Sequence, residues 1–158
     1  MMIKSNGVLV GARYCSNIYF IIHNGYLYIG ETGGHPSIRW GGHLCKGGTL
    51  RENLRRFEED DINEMEEIFF ASVATSIIDN EEHFNRKIAR KAVEYEVQRH
   101  FLLNPNIFGE ELRCVSTVSS NPVRHSFSFD PDSFSQAILK MASEKYKKWK
   151  SMLECGSL

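Results

Sequence analysis

The sequence predicts an α/β fold in which a small central β-sheet, mixed or antiparallel, is flanked by helices. Extended runs rich in β-branched and aromatic residues fill residues 7–32, and helical patterns follow over residues 81–103 and 132–153. The 158 residues contain no internal repeat and no long linker. One compact unit is therefore the expected organisation.

A β-hairpin is predicted at the start of this pattern. The runs NIYFIIHN and GYLYIGET meet at Asn24-Gly25, a dipeptide that favours the positive φ angles of a tight hairpin turn. Successive side chains of a strand point to opposite faces, so Ile18, Phe20 and Ile22 should face the core. Tyr19 and Tyr28 are then expected near each other on the opposite, polar face.

The next elements are a helical region and a strand. Residues 37–57 favour helix, with a break at Gly41-Gly42 or Gly47-Gly48, and residues 67–75 favour a buried strand that would be the third of the sheet. The long helix over residues 81–103 stops at Asn104-Pro105. Its predicted apolar face consists of Phe84, Ile88, Ala92, Tyr95 and Leu102.

The C-terminal part has its own predicted elements. Short strands at residues 112–116 and 123–129 give a hairpin-like segment, and Asp130-Pro131 opens a final helix. We assign residues 1–110 to a core domain and residues 111–158 to an extension packed on it. The extension is a candidate for DNA binding or dimerisation.

Composition gives an ordinary background. The chain is 42% hydrophobic and 25% charged, with a formal net charge of −1, which does not by itself indicate a nucleic-acid binder. Basic residues gather in residues 46–56, 86–99 and 140–150, and acidic ones in residues 58–67. One basic face can form even though the net charge of the chain is close to zero. Solvated helix faces of mixed charge are the simpler interpretation of each cluster.

Membrane-spanning and structural-zinc classes receive little support from the sequence. No apolar run approaches the roughly 20 residues that cross a bilayer, and the N-terminal segment does not resemble a signal peptide. The cysteines are scattered without a C-x-x-C pair, which argues against a structural zinc site and favours reduced thiols in the cytoplasm. They are Cys15, Cys45, Cys114 and Cys155.

A phosphate-binding site is expected where the hairpin meets the next helix. Gly30 permits close approach of a ligand or backbone at the end of the second strand. Arg39 and His43 are four residues apart and therefore lie on one side of a helix. A guanidinium group suits phosphate, because its planar fork donates two hydrogen bonds and its charge stabilises phosphodiester cleavage.

Phosphodiester hydrolysis usually also needs a hard cation such as Mg²⁺, held by one or two carboxylates. The helix over residues 81–103 offers Glu94 and Glu96. Glu94 shares a stripe with Val97 and Phe101 and should be partly buried, whereas Glu96 lies on another side. Both are candidate ligands on this evidence.

Together these segments resemble the GIY-YIG nuclease family. Members carry a G-I-Y segment and a Y-I-G segment on adjacent strands, then an arginine on the following helix and a glutamate on a later one. Here Asn17-Ile18-Tyr19 stands for the first segment, and Tyr28-Ile29-Gly30 matches the second. The resemblance covers residues 15–106. Asn17 replaces the first glycine, and the gap between the two segments is short.

The remaining family positions have counterparts further along the chain. Arg39 fits the helix arginine, one residue later than usual, and His43 matches a histidine that many members carry. Glu94 fits the family glutamate, because the aliphatic Val97 follows three positions later. Asn106 falls where members commonly place an asparagine.

The resemblance implies a metal-dependent DNA endonuclease with one Mg²⁺ or Mn²⁺ ion per active site. Glu94 would hold the ion and Arg39 the phosphate. Tyr19 would act as general base or position the water, with its pKa lowered by the cation and the basic side chain nearby. Tyr28 would orient the phosphate or water and His43 would assist proton transfer. Asn106 would hold the site together.

The expected biological setting is a small stand-alone cytoplasmic enzyme of the restriction or mobile-element kind that acts on DNA, as a monomer or a homodimer. A DNA repair or processing nuclease is the first alternative. A DNA-binding module that keeps the fold without the reaction is the second. A third is an α/β domain in which the matched residues coincide by chance.

Overall fold

A computed structural model of the chain describes residues 14–57, 67–116 and 125–156. Parts of three predicted features lie outside these ranges, namely residues 7–13 of the first extended run, 58–66 of the acidic run and 123–124 of the last strand. The described strands are β1 (Asn17–His23), β2 (Tyr26–Thr32), β3 (Phe69–Ala74) and β4 (Arg113–Cys114). The described α-helices are α1 (Pro36–Leu44), α2 (Thr49–Phe57), α3 (His83–Leu103) and α4 (Pro131–Glu154).

The strands form one mixed sheet in the order β3-β1-β2-β4. β1 is antiparallel to both β2 and β3, whereas β4 runs parallel to β2. Asn24 and Gly25 have φ angles of 41° and 79°, so the predicted tight turn is confirmed. The predicted α/β class, with a small mixed sheet flanked by helices, is confirmed as well.

Both faces of the hairpin are buried. Ile18, Phe20 and Ile29 join the main core, which lies between the sheet and the helices α3 and α4. Tyr19 and Tyr28 join a second, smaller core together with side chains of α1 and α2, among them Trp40, Leu50 and Leu54. The prediction that the tyrosines lie on a polar face is therefore wrong, because α1 and α2 cover that face.

The break between α1 and α2 falls at Gly47-Gly48, whereas Gly41-Gly42 stays inside α1. Gly47 has a φ of 80°, which favours glycine. At residue 48, a Cβ atom would overlap the carbonyl oxygens of Gly42 and His43. The second glycine of the break thus allows α2 to start directly against the end of α1.

The predicted apolar face of α3 is wrong in part, since Ala92 is buried but the large residues at its two ends are not. Phe84 and Leu102 are 70% and 67% exposed. The helix instead buries a stripe that contacts the sheet on one side and α4 on the other. This stripe contains Ala89, Ala92, Val93, Val97 and Phe101. The small alanines let neighbouring elements approach the helix closely. A prediction based on the positions of large apolar residues misses such a stripe.

The C-terminal part differs from the predicted hairpin-like segment but packs on the core. β4 pairs only at Arg113 and Cys114, and residues 125–129 form no strand. α4 contributes Ile138, Leu139 and Tyr146 to the main core. The helix therefore shares a core with the elements before residue 110. The predicted domain boundary at that residue stays a prediction.

None of the described helices combines the length and apolarity that a membrane span requires. The cysteines, all of which lie within the described ranges, form no disulfide bond. Cys45 and Cys155 are exposed, and Cys15 and Cys114 are half-buried.

Candidate active site

Three aromatic rings pack together on the α1 side of the sheet. Tyr19 and Tyr28 stack with their centroids 6.3 Å apart and their planes 15° from parallel. The ring of His43, in the last turn of α1, lies 4.4 Å from that of Tyr28. The Tyr19 hydroxyl and His43 Nε2 are 2.7 Å apart, a hydrogen-bond distance. The pairing of β1 with β2 and the packing of the last turn of α1 thus bring together three side chains from three elements.

Arg39 connects this cluster to the surface. It lies one turn before His43 on α1, its side chain is exposed, and its guanidinium opposes the rise in the Tyr19 pKa that burial causes. The Tyr19 hydroxyl can donate to His43 Nε2, and its oxygen can still accept from a guanidinium, which only donates. In the tautomer that allows this donation, Nε2 is the unprotonated nitrogen of the imidazole.

The environment of His43 keeps its imidazole neutral. The residue is 3% exposed, and burial, followed by the positive charge of Arg39, lowers its pKa from 6.5 to about 4. Its Nδ1 is buried and has no hydrogen-bond partner among the described residues. Near pH 7 the Nε2 atom is therefore a proton acceptor in contact with the Tyr19 hydroxyl.

The Tyr19 pKa is raised in the protein without a bound cation. Burial raises it to about 12, which outweighs the opposing effect of Arg39, and the charges of Glu94 and Glu31 add to the increase. Burial also raises the pKa of Tyr28. The guanidinium by itself therefore does not lower the Tyr19 pKa, because desolvation exceeds its effect, and a lowering by guanidinium and cation together stays a prediction. Both phenols are protonated at neutral pH.

Glu94 lies on a stripe of α3 that follows the edge of β2. Gln98 Nε2 donates to the carbonyl of Ile29 at 3.4 Å, and Arg90 Nε donates to Glu31 Oε2 at 2.6 Å. Glu94 is one turn from each of these contacts and is 5% exposed. β4 pairs with Tyr26 and Leu27, and beyond it the N–H of Ile29 donates to Ser116 Oγ at 2.9 Å. Glu94 therefore lies near an edge that α3 shares with the residues after β4, and its charge adds to the rise in the pKa values of Tyr19 and Tyr28 that burial causes.

Two charged residues that sequence reasoning missed accompany Glu94. Lys91 Nζ lies 2.8 Å from Glu94 Oε2 and 3.5 Å from Glu31 Oε1. Burial raises the pKa of Glu94, Lys91 opposes this increase, and the nearby Glu31 adds to it. Two sequence signals were available, since Glu31 directly follows Gly30 and Lys91 lies three residues before Glu94.

Glu96 belongs to a different group on α3. Its Oε2 accepts from Arg99 Nε at 2.5 Å, Arg99 also pairs with Asp132 of α4, and His100 Nε2 lies 3.0 Å from Asp132 Oδ1. Glu96, His100 and Asp132 could place ligand atoms within 4.8 Å of one another. The Arg99 guanidinium already bridges the two carboxylates, so the group is an ion-pair network between α3 and α4. Of the two candidate glutamates, Glu94 is the one whose charge raises the pKa values of both tyrosines.

Asn106 is the predicted site residue that the structure leaves apart. It is exposed in the turn after α3, where its carbonyl accepts from the N–H of Gly109 at 2.9 Å. The helix continues from Glu94 for about nine residues, or roughly 13 Å along its axis, before this turn begins. No contact within the described ranges links Asn106 to the cluster.

A groove borders the cluster on its exposed side. A cavity of about 250 Å³ lies between α1 and α2 and is lined by Arg39, His43 and the first residue of α2, Thr49, among others. Gly42, Gly47 and Gly48 form much of the rest of its wall, so backbone atoms face the cavity. The groove gives a ligand access to the exposed guanidinium.

Comparison of the chain with protein-family models, curated proteins and solved structures found no significant match. What the site can do follows from its chemistry. An exposed guanidinium binds anions, a phenol joined to a neutral imidazole transfers protons, and a buried carboxylate attracts cations.

Proposed function

We propose that the protein is a metal-dependent DNA endonuclease that hydrolyses phosphodiester bonds through a site of the GIY-YIG type. The Tyr19 hydroxyl carries the proposal, because it lies 2.7 Å from Nε2 of the candidate proton acceptor His43, and the charge of the phosphate-binding candidate Arg39 acts on its pKa. The carboxylate of Glu94 is close enough to raise the pKa values of both tyrosines. Phosphate binding, proton transfer and cation binding are thus provided for at one place.

Arg39 binds the scissile phosphate in this scheme. Its exposed side chain borders the groove between α1 and α2, from which a DNA backbone can approach. Its charge acts on the pKa of the fully buried Tyr19. A phosphate held by the guanidinium would therefore lie near the Tyr19 side chain.

Tyr19 and His43 then move the proton. The Tyr19 oxygen accepts a proton from the attacking water while its own proton passes to His43 Nε2. A His43 pKa of about 4 disfavours the imidazolium in the free protein. Negative charge that accumulates on the phosphate during attack opposes this effect, so proton transfer is favoured only when substrate is present. Tyr28 packs against both rings and fixes their orientation.

Glu94 is the residue that would hold Mg²⁺ or Mn²⁺. Such ions need one or two carboxylates, with water and substrate oxygens in the remaining positions. The pair Glu94 and Glu31 already attracts the ammonium group of Lys91, which indicates that this position favours a cation. A bound ion would supply Lewis-acid stabilisation of the phosphate and of the leaving oxygen.

We propose that the protein is a cytoplasmic enzyme of the restriction or mobile-element kind, with repair and processing nucleases as the alternative. Exposed lysines of α4, such as Lys145 and Lys148, are candidates for contacts with the DNA backbone. The same helix face would serve a homodimer if a second copy binds there.

A non-catalytic DNA-binding module is the second candidate function. The complete burial of Tyr19 and its pKa of about 12 favour it, since both make a phenol a poor base. This candidate keeps Arg39 as a phosphate ligand and needs no metal. Cleavage experiments distinguish the two.

The test is the nicking of supercoiled plasmid DNA in the presence of Mg²⁺. We expect Glu94→Gln and Arg39→Ala each to abolish nicking. Glu96→Gln, a matched change on another side of α3, and Arg55→Ala, at an exposed position of α2, should keep it. Full activity in either site variant would contradict the proposal. DNA binding without cleavage in both Mg²⁺ and Mn²⁺ would support the binding module.

A further inference from the structure

Two partly buried carboxylates lie side by side at the edge of β2. The side chains of Glu31 and Glu94 are 11% and 7% exposed. Arg90 Nε binds Glu31 Oε2 at 2.6 Å, which leaves Glu31 Oε1 and Glu94 Oε2 to share a second cation. Two like charges in such a place are costly unless a positive charge stays with them.

Lys91 supplies that charge in the protein alone. Its Nζ lies 2.8 Å from Glu94 Oε2 and 3.5 Å from Glu31 Oε1. Unlike the carboxylates, the Lys91 side chain is 43% exposed. An ammonium group on a flexible stem can therefore withdraw into water without any change in the fold, whereas the glutamates must stay.

We infer that Lys91 is the exchangeable counter-ion of a cation position formed by Glu94 and Glu31. A divalent cation binds there only as the Lys91 ammonium leaves, so Lys91 raises the metal concentration that the protein requires. Glu31 is the second carboxylate of the position and strengthens its attraction for the cation. The inference rests on the proposed metal site at Glu94.

The competition predicts a gain of affinity when the lysine charge is removed. In calorimetric titrations with Mn²⁺ and without DNA, Lys91→Met should lower the Kd roughly tenfold, because one positive charge near the ion is lost. Lys91→Gln should act in the same direction and serves if the methionine variant does not fold. Glu31→Gln should raise the Kd, and Glu94→Gln should abolish binding.

The matched control is Lys87→Met. Lys87 is exposed one turn earlier on α3, so this variant changes the net charge equally without touching the carboxylate pair. Its Kd should equal that of the unaltered protein. If the affinity for Mn²⁺ rises in the Lys91 variants and not in Lys87→Met, the exchange of the Lys91 ammonium for the metal ion is supported.

Two results overturn the inference and have different meanings. If the unaltered protein binds Mn²⁺ and both Lys91 variants bind it equally or more weakly, the exchange is wrong while the proposed nuclease stands. If no variant binds Mn²⁺ and the unaltered protein nicks no plasmid with any divalent metal, the proposed function fails together with the inference.

Discussion

The phenol ring of Tyr19 lies across Gly30 of the neighbouring strand, so that a Cβ atom at residue 30 would overlap its Cζ and hydroxyl oxygen. The antiparallel register sets this relationship, because it pairs Tyr19 directly with Gly30. The missing side chain lets the phenol extend over β2 towards His43. The glycine of the Tyr28-Ile29-Gly30 segment is thus required by packing.

A methyl group at residue 30 should therefore destabilise the fold. Gly30→Ala must displace the Tyr19 ring, and we expect a loss of about 1–3 kcal/mol in the free energy of unfolding, measured by urea denaturation. Gly41→Ala is the control, because a Cβ at that position in α1 meets nothing within 4 Å. It should be neutral or stabilising by up to ~1 kcal/mol. Equal stability of Gly30→Ala and the unaltered protein would contradict the packing.

Removal of the Tyr19 hydroxyl should stop proton transfer while the fold remains. We expect Tyr19→Phe to lower the single-turnover nicking rate by about 100-fold or more. The lost hydrogen bond to buried His43 should cost roughly 1–2 kcal/mol of stability. Tyr14→Phe, at a residue that is 84% exposed, is the control and should leave both quantities unchanged. An undiminished rate in Tyr19→Phe would rule out the tyrosine as general base.

Stability should depend on pH through His43. Its pKa is about 4 in the folded protein, below the ordinary value of 6.5, so the unfolded chain binds this proton more readily. The contribution of the neutral imidazole is fully present above pH 6.5 and is lost as the pH falls towards 4. The loss amounts to at most about 3 kcal/mol.

His43→Gln should flatten this part of the pH profile, measured by urea denaturation at a series of pH values. His83→Gln, at an exposed residue of α3, should retain the slope of the unaltered protein. Carboxylates also titrate at the acid end of this range. The test is therefore the difference in slope between each variant and the unaltered protein. Identical slopes in all three proteins would contradict the burial of a neutral His43.

The last helix should behave as part of the main core. Ile138 is 1% exposed, and Ile138→Ala should cost about 2–5 kcal/mol in the free energy of unfolding through the cavity that it leaves. Met141, on the same helix, is 49% exposed, so Met141→Ala should have an effect below roughly 1 kcal/mol. A small loss in Ile138→Ala would mean that residues 111–158 form a separable extension.

Local sequence signals predicted much of the fold. Asn24-Gly25 indicated the hairpin, because a turn of two residues depends only on the φ angles of those residues. Gly47-Gly48 and Asn104-Pro105 similarly marked the ends of helices. The apolar face of α3 was predicted wrongly in part, since a helical repeat places several stripes within reach of the core and only the neighbouring elements select one.

For the candidate site, the sequence by itself determined which residues occur at the right spacing: Tyr19 and Tyr28 on paired strands, and Arg39 one turn before His43. Tertiary structure alone decided that both tyrosines are buried, that the Tyr19 pKa rises, and that Asn106 lies apart. It also placed Lys91 between Glu31 and Glu94. Spacing follows from local geometry, whereas desolvation and charge pairing depend on elements that meet only when the chain folds.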